Sequence, residues 1–243
     1  MRVEIYVQAR MGSGRLPGKV LKQVLGKPML EYLMERLERC KEADAVYILT
    51  STEPQDDAIV QFCKEKNYRC FRGDEQNVLD RYYQAAKKFS PDAVVRINGD
   101  CPLIDPVEVD RVINAFKKNV KDYDYVSNTI SRSFPRGLDT EIFSVSALNK
   151  THKQVTKEEE KEHVTLHMYR HPEMFRLMSV ENSSDQSSYR WTLDTEDDFK
   201  LIKAIIEAIY PKKPNFGLHD ILKAYENHPE WNTINAHVQQ KIP

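Results

Sequence analysis

Three stretches of the chain combine residue types that could handle a polyphosphate and a metal ion. The first is QARMGSGRLPGKVL, Gln8 to Leu21, directly after a β-like run. Gly12, Ser13 and Gly14 let a backbone turn with its N–H groups facing inward, as an anion-binding nest requires. Arg10 and Arg15 could meet phosphate oxygens as forks, and Lys19 as a point charge. The loop is neither G-x-x-x-x-G-K-[ST] nor G-x-G-x-x-G, so it matches neither of those phosphate motifs. Taken alone, it is explained equally well as a plain strand-to-helix connector with solvated cations.

The second stretch is RINGDCPLID, Arg96 to Asp105. An apolar strand runs into Asn98-Gly99, and Asp100 sits at its exit with Pro102 stiffening the next residues. A carboxylate there can hold Mg2+, a hard cation that takes few protein ligands and keeps water and phosphate oxygens as the rest. By itself N-G-D is also ordinary turn chemistry. Cys101 reads as a packing residue, since no histidine can be assigned to activate it. The third stretch is YRWTLDTEDDF, Tyr189 to Phe199. Thr195 can cap the following helix, and Asp197 and Asp198 suit its dipole. That leaves the Asp194 carboxylate free to face the sheet edge. Two acids at two strand ends, with a cationic glycine-rich loop, make a nucleotide–metal constellation more specific than any one part.

The elements that must position these residues alternate. Val3–Gln8, Ala45–Ser51, Tyr68–Phe71 and Ala93–Asn98 read as short strands. Between them 29–40, 56–66 and 77–89 read as helices, with Leu30, Leu33, Met34 and Leu37 forming one apolar stripe. Such alternation indicates parallel βαβ units with helices on both sheet faces, which bind ligands at the carboxyl ends of the strands. Further on, 107–119, 146–150, 156–170, 195–210 and 218–227 read as helices. The segments 123–127, 175–180 and 189–193 read as strands, as does the end of 134–144. A tail, 229–243, completes the chain. With no internal repeat or linker, we expect one domain over 1–243 with an excursion at about 128–180.

Composition excludes several classes. The formal charge of −1 over 243 residues argues against a general nucleic-acid binder. No apolar run approaches the ~20 residues of a membrane span. The N-terminus lacks a signal-peptide layout, and the four cysteines form no C-x-x-C pair, so a cytoplasmic location with free thiols is expected.

The chain resembles the nucleoside-diphosphosugar-transferase-like cytidylyltransferases, which include the CMP-N-acylneuraminate and CMP-Kdo synthetases. It is most similar to their spore-coat polysaccharide biosynthesis protein F branch. QARMGSGRLPGKVLKQVLGKPMLEYLMERL, RGDEQNVLDRYYQAAKKF, VVRINGDCPLIDP, FPRGLDTEIFS, EKEHVTLHMYRHPEMF and WTLDTEDDF carry the likeness, in order, over most of the chain. The resemblance implies an α/β, Rossmann-like nucleotide-diphosphosugar transferase (GT-A-like) fold with a mostly parallel central sheet. It implies a CTP-dependent nucleotidyltransferase that couples CMP to a sugar or sugar acid and releases pyrophosphate. By position, Arg10, Lys19 and Asp100 match catalytic residues, and Asp100 and Asp194 a Mg2+-binding pair. Gln8, Ala9, Gly12, Ser13, Arg15, Asn77, Arg81 and Asn98 fall where the family meets the nucleotide.

Two departures limit the transfer. NGDCPLI stands where the Kdo enzymes have Q-G-D-E-P-L-I, and RGDEQNVLDR where they have S-G-T-D-R. Arg136, Asp139 and Glu141 could grip the acceptor, although a solvated hairpin explains them nearly as well. His163 is a candidate base that a surface or packing role explains as readily. A homodimer formed through the excursion is implied by the resemblance alone. The alternatives are a nucleotidyltransferase that uses GTP or a sugar-phosphate acceptor, and a nucleotide-binding regulatory protein without turnover.

Overall fold

The computed structural model describes residues 1–240, so the last three residues of the expected tail lie outside the described residues. In chain order the elements begin β1 (Val3–Gln8), β2 (Gln23–Val24), β3 (Lys27–Pro28), α1 (Met29–Leu37), β4 (Ala45–Ser51), α2 (Asp57–Lys66), β5 (Cys70–Gly73), α3 (Val78–Phe89) and β6 (Ala93–Asn98). They continue α4 (Pro106–Lys118), β7 (Tyr125–Ser127), β8 (Glu141–Ser144), α5 (Val145–Gln154), α6 (Glu158–Glu162), α7 (Leu166–Arg170) and β9 (Leu177–Ser179). The last three are α8 (Glu196–Ile209), α9 (Leu218–Asn227) and α10 (Trp231–Ile234).

Seven strands form one sheet in the order β5-β4-β1-β6-β8-β7-β9. The β5-β4-β1-β6 half is parallel, whereas β8 runs antiparallel to both its neighbours. Side chains alternate across a strand, and β1 shows the result. Val3, Ile5 and Val7 join the core under α1, α2 and α4, while Tyr6 joins the core under α3 and α5. Helices therefore cover both faces. A third apolar cluster packs α8 and α9 against Trp191, Leu193 and Phe134.

The parallel half matches the sequence reading apart from small shifts in element ends; the second half departs from it. The expected excursion contributes β8 and β9 to the main sheet. The expected 156–170 helix is two short helices, α6 and α7. His163 leaves helical geometry, Val164 is buried, and Thr165 Oγ1 donates to Glu141 Oε1 at 2.6 Å. The expected 189–193 strand forms only one bridge, Arg136 to Arg190. Trp191 N bonds Arg136 O, but the next alternate amide, Leu193 N, turns to Asp100 O, so the ladder cannot continue. No helix among the described residues is long and apolar enough to cross a membrane.

Candidate active site

The carboxyl ends of β1 and β6 lie side by side, with Gln8 paired to Asn98. Gly99 makes the approach possible. Its N–H donates to Gln8 O at 2.8 Å, and a Cβ there would stand 2.8 Å from the same oxygen. The chain after Asn98 therefore stays against the end of β1 and delivers Asp100 to the sheet edge.

The loop after β1 is held from within. Met11 O accepts from both Ser13 N and Gly18 N at 2.9 Å. The left-handed residue is Gly18 (φ 69°), so the turn expected at Gly12-Ser13-Gly14 is completed further along. Asp56, which sequence reasoning treated only as the start of a helix, anchors the loop: its buried carboxylate accepts from Met11 N at 2.7 Å and from Ser51 N at 3.1 Å. Burial pushes the Asp56 carboxyl up, but these hydrogen bonds outweigh it and hold it below its ordinary value.

Asp194 reaches the same edge by a different route. Leu193 N donates to Asp100 O at 2.8 Å, stitching the two acid-bearing segments together. Thr195 and Asp198 form a capping box at the start of α8, so Asp194 is not needed as the cap. Lys19 Nζ then lies 2.7 Å from Asp100 Oδ2 and 2.8 Å from Asp194 Oδ1. Arg15 and Arg190 meet the other Asp194 oxygen at 2.9 and 3.0 Å. Arg190 is the residue the sequence did not disclose. It also holds Asp198 through two bonds of 2.9 and 3.0 Å, and it fixes Asp194 from behind.

The charges respond accordingly. Burial opposes the charged form of Lys19, but Asp100 and Asp194 prevail and raise its pKa. Burial likewise pushes the Asp194 carboxyl up, while Lys19, Arg15 and Arg190 pull it below the ordinary range. Cys101, beside Asp100, is driven well above the usual thiol value by burial and then by that carboxylate, which removes it as a nucleophile.

Arg15, Lys19, Asp100 and Asp194 line a cleft of about 470 Å³ together with Gln8, Ala9, Arg10, Ser13 and Asn98. Arg10 extends across it to Glu162 at 3.4 Å. Among the described residues Asn98 Oδ1 is buried with no hydrogen-bond partner, two positions before Asp100. An adjoining recess of about 650 Å³ includes Arg132, Arg136, Asp139, Glu141 and His163. His163 borders both spaces, and burial, then the nearby Arg96 charge, lowers its pKa.

Other expected contacts have different duties. Asn77 caps α3 by accepting from Asp80 N, so its side chain is spent on the helix. Arg81 is buried and donates to Asp74 O and Glu75 O; it borders a smaller recess beside Gln8 and Arg10. Gly12 faces Gln55 and Glu75. Asp139 is clamped by Arg132 through bonds of 2.6 and 3.0 Å. Glu141 is buried and spoken for: it pairs with Arg96 and accepts from Tyr125 and Thr165 at 2.6 Å. Of the three expected acceptor residues, Arg136 has no such side-chain clamp among the described residues.

Residues 5–228 match the family model described as Cytidylyltransferase. The chain is 31% identical over 231 residues to the spore coat polysaccharide biosynthesis protein SpsF of Bacillus subtilis, covering 92% of this chain and 94% of that one. It is 31% identical over 134 residues to 3-deoxy-manno-octulosonate cytidylyltransferase 2 of Hydrogenovibrio crunogenus, about half of each chain (54% and 53%). Among solved structures, a cytidylyltransferase from Leptospira borgpetersenii serovar Hardjo-bovis superposes with a TM-score of 0.92 at 33% identity, covering 100% of this chain and 99% of that one.

Proposed function

The chain belongs to the cytidylyltransferase family and is a nucleotidyltransferase, and we propose that it uses CTP to place CMP on a sugar or sugar acid for surface polysaccharide or glycan biosynthesis. The observation that carries this reading is the ammonium of Lys19 held between Asp100 and Asp194 at the sheet edge. Two carboxylates already gathered around one positive charge, in a cleft edged by Arg10 and Arg15, suit a triphosphate with its cation. The names of the Bacillus and Hydrogenovibrio relatives support a surface-glycan product and a CTP donor.

In this reading an acceptor hydroxyl attacks the α-phosphorus of CTP, and pyrophosphate leaves. Asp100 and Asp194 would hold Mg2+; an all-oxygen pair with the unpartnered Asn98 Oδ1 nearby fits that hard ion. When bound, the ion supplies positive charge to phosphate oxygens and favours the ionised form of a hydroxyl. Arg10, Arg15 and Lys19 orient the outer phosphates, so catalysis is mainly positioning and charge neutralisation. Arg136 and the Arg132–Asp139 pair face the acceptor. His163, kept neutral by its lowered pKa, is placed to receive a proton.

A homodimer through the 128–180 segment is part of the proposal, supported by the exposed Ile130 and Tyr169. Light scattering that gives the single-chain mass throughout a dilution series would refute it. The four free cysteines suit a reducing cytoplasm.

Pyrophosphate release from CTP, ATP, GTP and UTP, across a panel of sugar acids, amino sugars and sugar phosphates, tests the reaction. Acceptor-dependent release from CTP supports it. A purine preference would move the chain to a GTP-type enzyme, and binding without release to a regulatory protein.

A further inference from the structure

Away from the cleft, α6 and α7 bring together Glu160, His167 and His171, whose ligand atoms all lie within 4.8 Å of one another. His167 lies within α7, and His171 is the residue that ends it, where the chain leaves helical geometry and folds its ring back toward His167. Their ring centroids are 4.3 Å apart. Glu160 and His167 are buried, and His171 is partly exposed. His167 Nδ1 meets Glu160 Oε2 at 3.1 Å, while its Nε2 is buried with no hydrogen-bond partner among the described residues. His171 Nδ1 meets Glu173 Oε1 at 2.9 Å, a carboxylate–histidine contact that leaves Nε2 as the basic nitrogen.

We propose that Glu160, His167 and His171 form a Zn2+ site, with Glu173 orienting His171. Two imidazoles and one carboxylate are a borderline donor set that suits Zn2+, which takes nitrogen and oxygen ligands and accepts three protein ligands plus water. Mg2+ would not compete, because it selects oxygen donors such as those of Asp100 and Asp194. The ion would tie α6 to α7 across the break at His163–Thr165. That break carries His163, and α6 ends at Glu162; both border the cleft. The site therefore braces one wall of the cleft and takes no part in the chemistry.

The experiment uses the full chain, stripped with a chelator and kept in excess Mg2+. Zn2+ is titrated by calorimetry, and Co2+ by its visible absorption. One Zn2+ per chain is expected, with a four-coordinate Co2+ spectrum. Glu173→Gln should weaken Zn2+ binding about tenfold, as loss of an orienting carboxylate does, and His171→Ala by more. His171 is partly exposed, so that variant should fold, as circular dichroism would check; His167→Ala is the second ligand test. His228→Ala, at the histidine that ends α9, should leave Zn2+ affinity unchanged. Lack of saturable Zn2+ binding would overturn the proposal, as would an affinity unchanged in His171→Ala or lowered equally in His228→Ala.

Discussion

Lys19 Nζ is shared by two carboxylates separated by almost a hundred residues, Asp100 at 2.7 Å and Asp194 at 2.8 Å. A lysine expected to meet phosphate thus stands between the two carboxylates proposed to hold a divalent cation. If Asp100 and Asp194 hold Mg2+ as proposed, the ion takes the place of this ammonium between them.

Replacing Lys19 by Met removes the competing ammonium. Affinity for Mn2+, a spectroscopic substitute for Mg2+, should rise about tenfold, or ~1.4 kcal/mol, while turnover with CTP falls. Unchanged or weaker Mn2+ binding in Lys19→Met, followed by electron paramagnetic resonance, would show that the ammonium does not occupy the cation's place.

Asp100→Asn and Asp194→Asn should each lower kcat by ~10²-fold or more, the scale of losing a central electrostatic stabiliser. The double variant should fall short of the product of the two losses, because the second change acts on a site already disabled. Asp197→Asn is the comparison. Its carboxylate pairs at the surface with Lys200 at 2.6 Å, so both turnover and stability should change little. Near-normal turnover in Asp194→Asn, measured by pyrophosphate release, would contradict this.

Asp198 should matter more to the fold than its neighbour. It is fully buried, completes the capping box, and accepts from Arg190 and from Asn235. Asp198→Ala removes the capping box and two of the Arg190 guanidinium's bonds, leaving its charge to Asp194, and should cost ~1–3 kcal/mol. Urea unfolding monitored by circular dichroism checks the value, and a loss no greater than that of Asp197→Asn would refute the anchor.

Glu141 carries a pH dependence. Burial pushes its carboxyl up, but Arg96 and hydrogen bonds from Thr165 and Tyr125 bring it below the ordinary value. A depressed carboxyl contributes stability above its unfolded pKa, about 4.3, and loses it as pH falls toward the folded value. Urea midpoints should therefore drop below about pH 4.3 in the wild type, and Glu141→Gln should flatten that part of the profile. Glu141→Gln should also lower stability at pH 7. A variant with unchanged stability and only a raised acceptor KM would restore Glu141 to acceptor binding.

Gly99→Ala tests the contact that delivers Asp100. A methyl group 2.8 Å from Gln8 O must push the β6 exit away from β1. Turnover should drop at least tenfold, with a smaller effect on CTP affinity. Wild-type kcat in steady-state assays would show that the close approach is dispensable.

Residue order alone disclosed the parallel half of the sheet, the cationic loop, both acids and the Thr195 cap, although Asp194 follows a single bridge and not the strand expected there. These features rest on strand alternation, helical periodicity and capping contacts that span a few residues, and such patterns are written locally. What each charged group would touch was decided by tertiary structure. Lys19 meets Asp194 across 175 positions, and Met11 is held by Asp56 across 45. Arg190 is only eight residues from Asp198, yet it faces that acid only because the chain between them turns into α8. The same holds for Glu141, which looked like a polar hairpin residue until β6, β7 and the 163–165 break closed around it. A side chain's type follows from the sequence. Its partner, and hence its burial and charge state, follows from which distant segments the sheet order brings beside it.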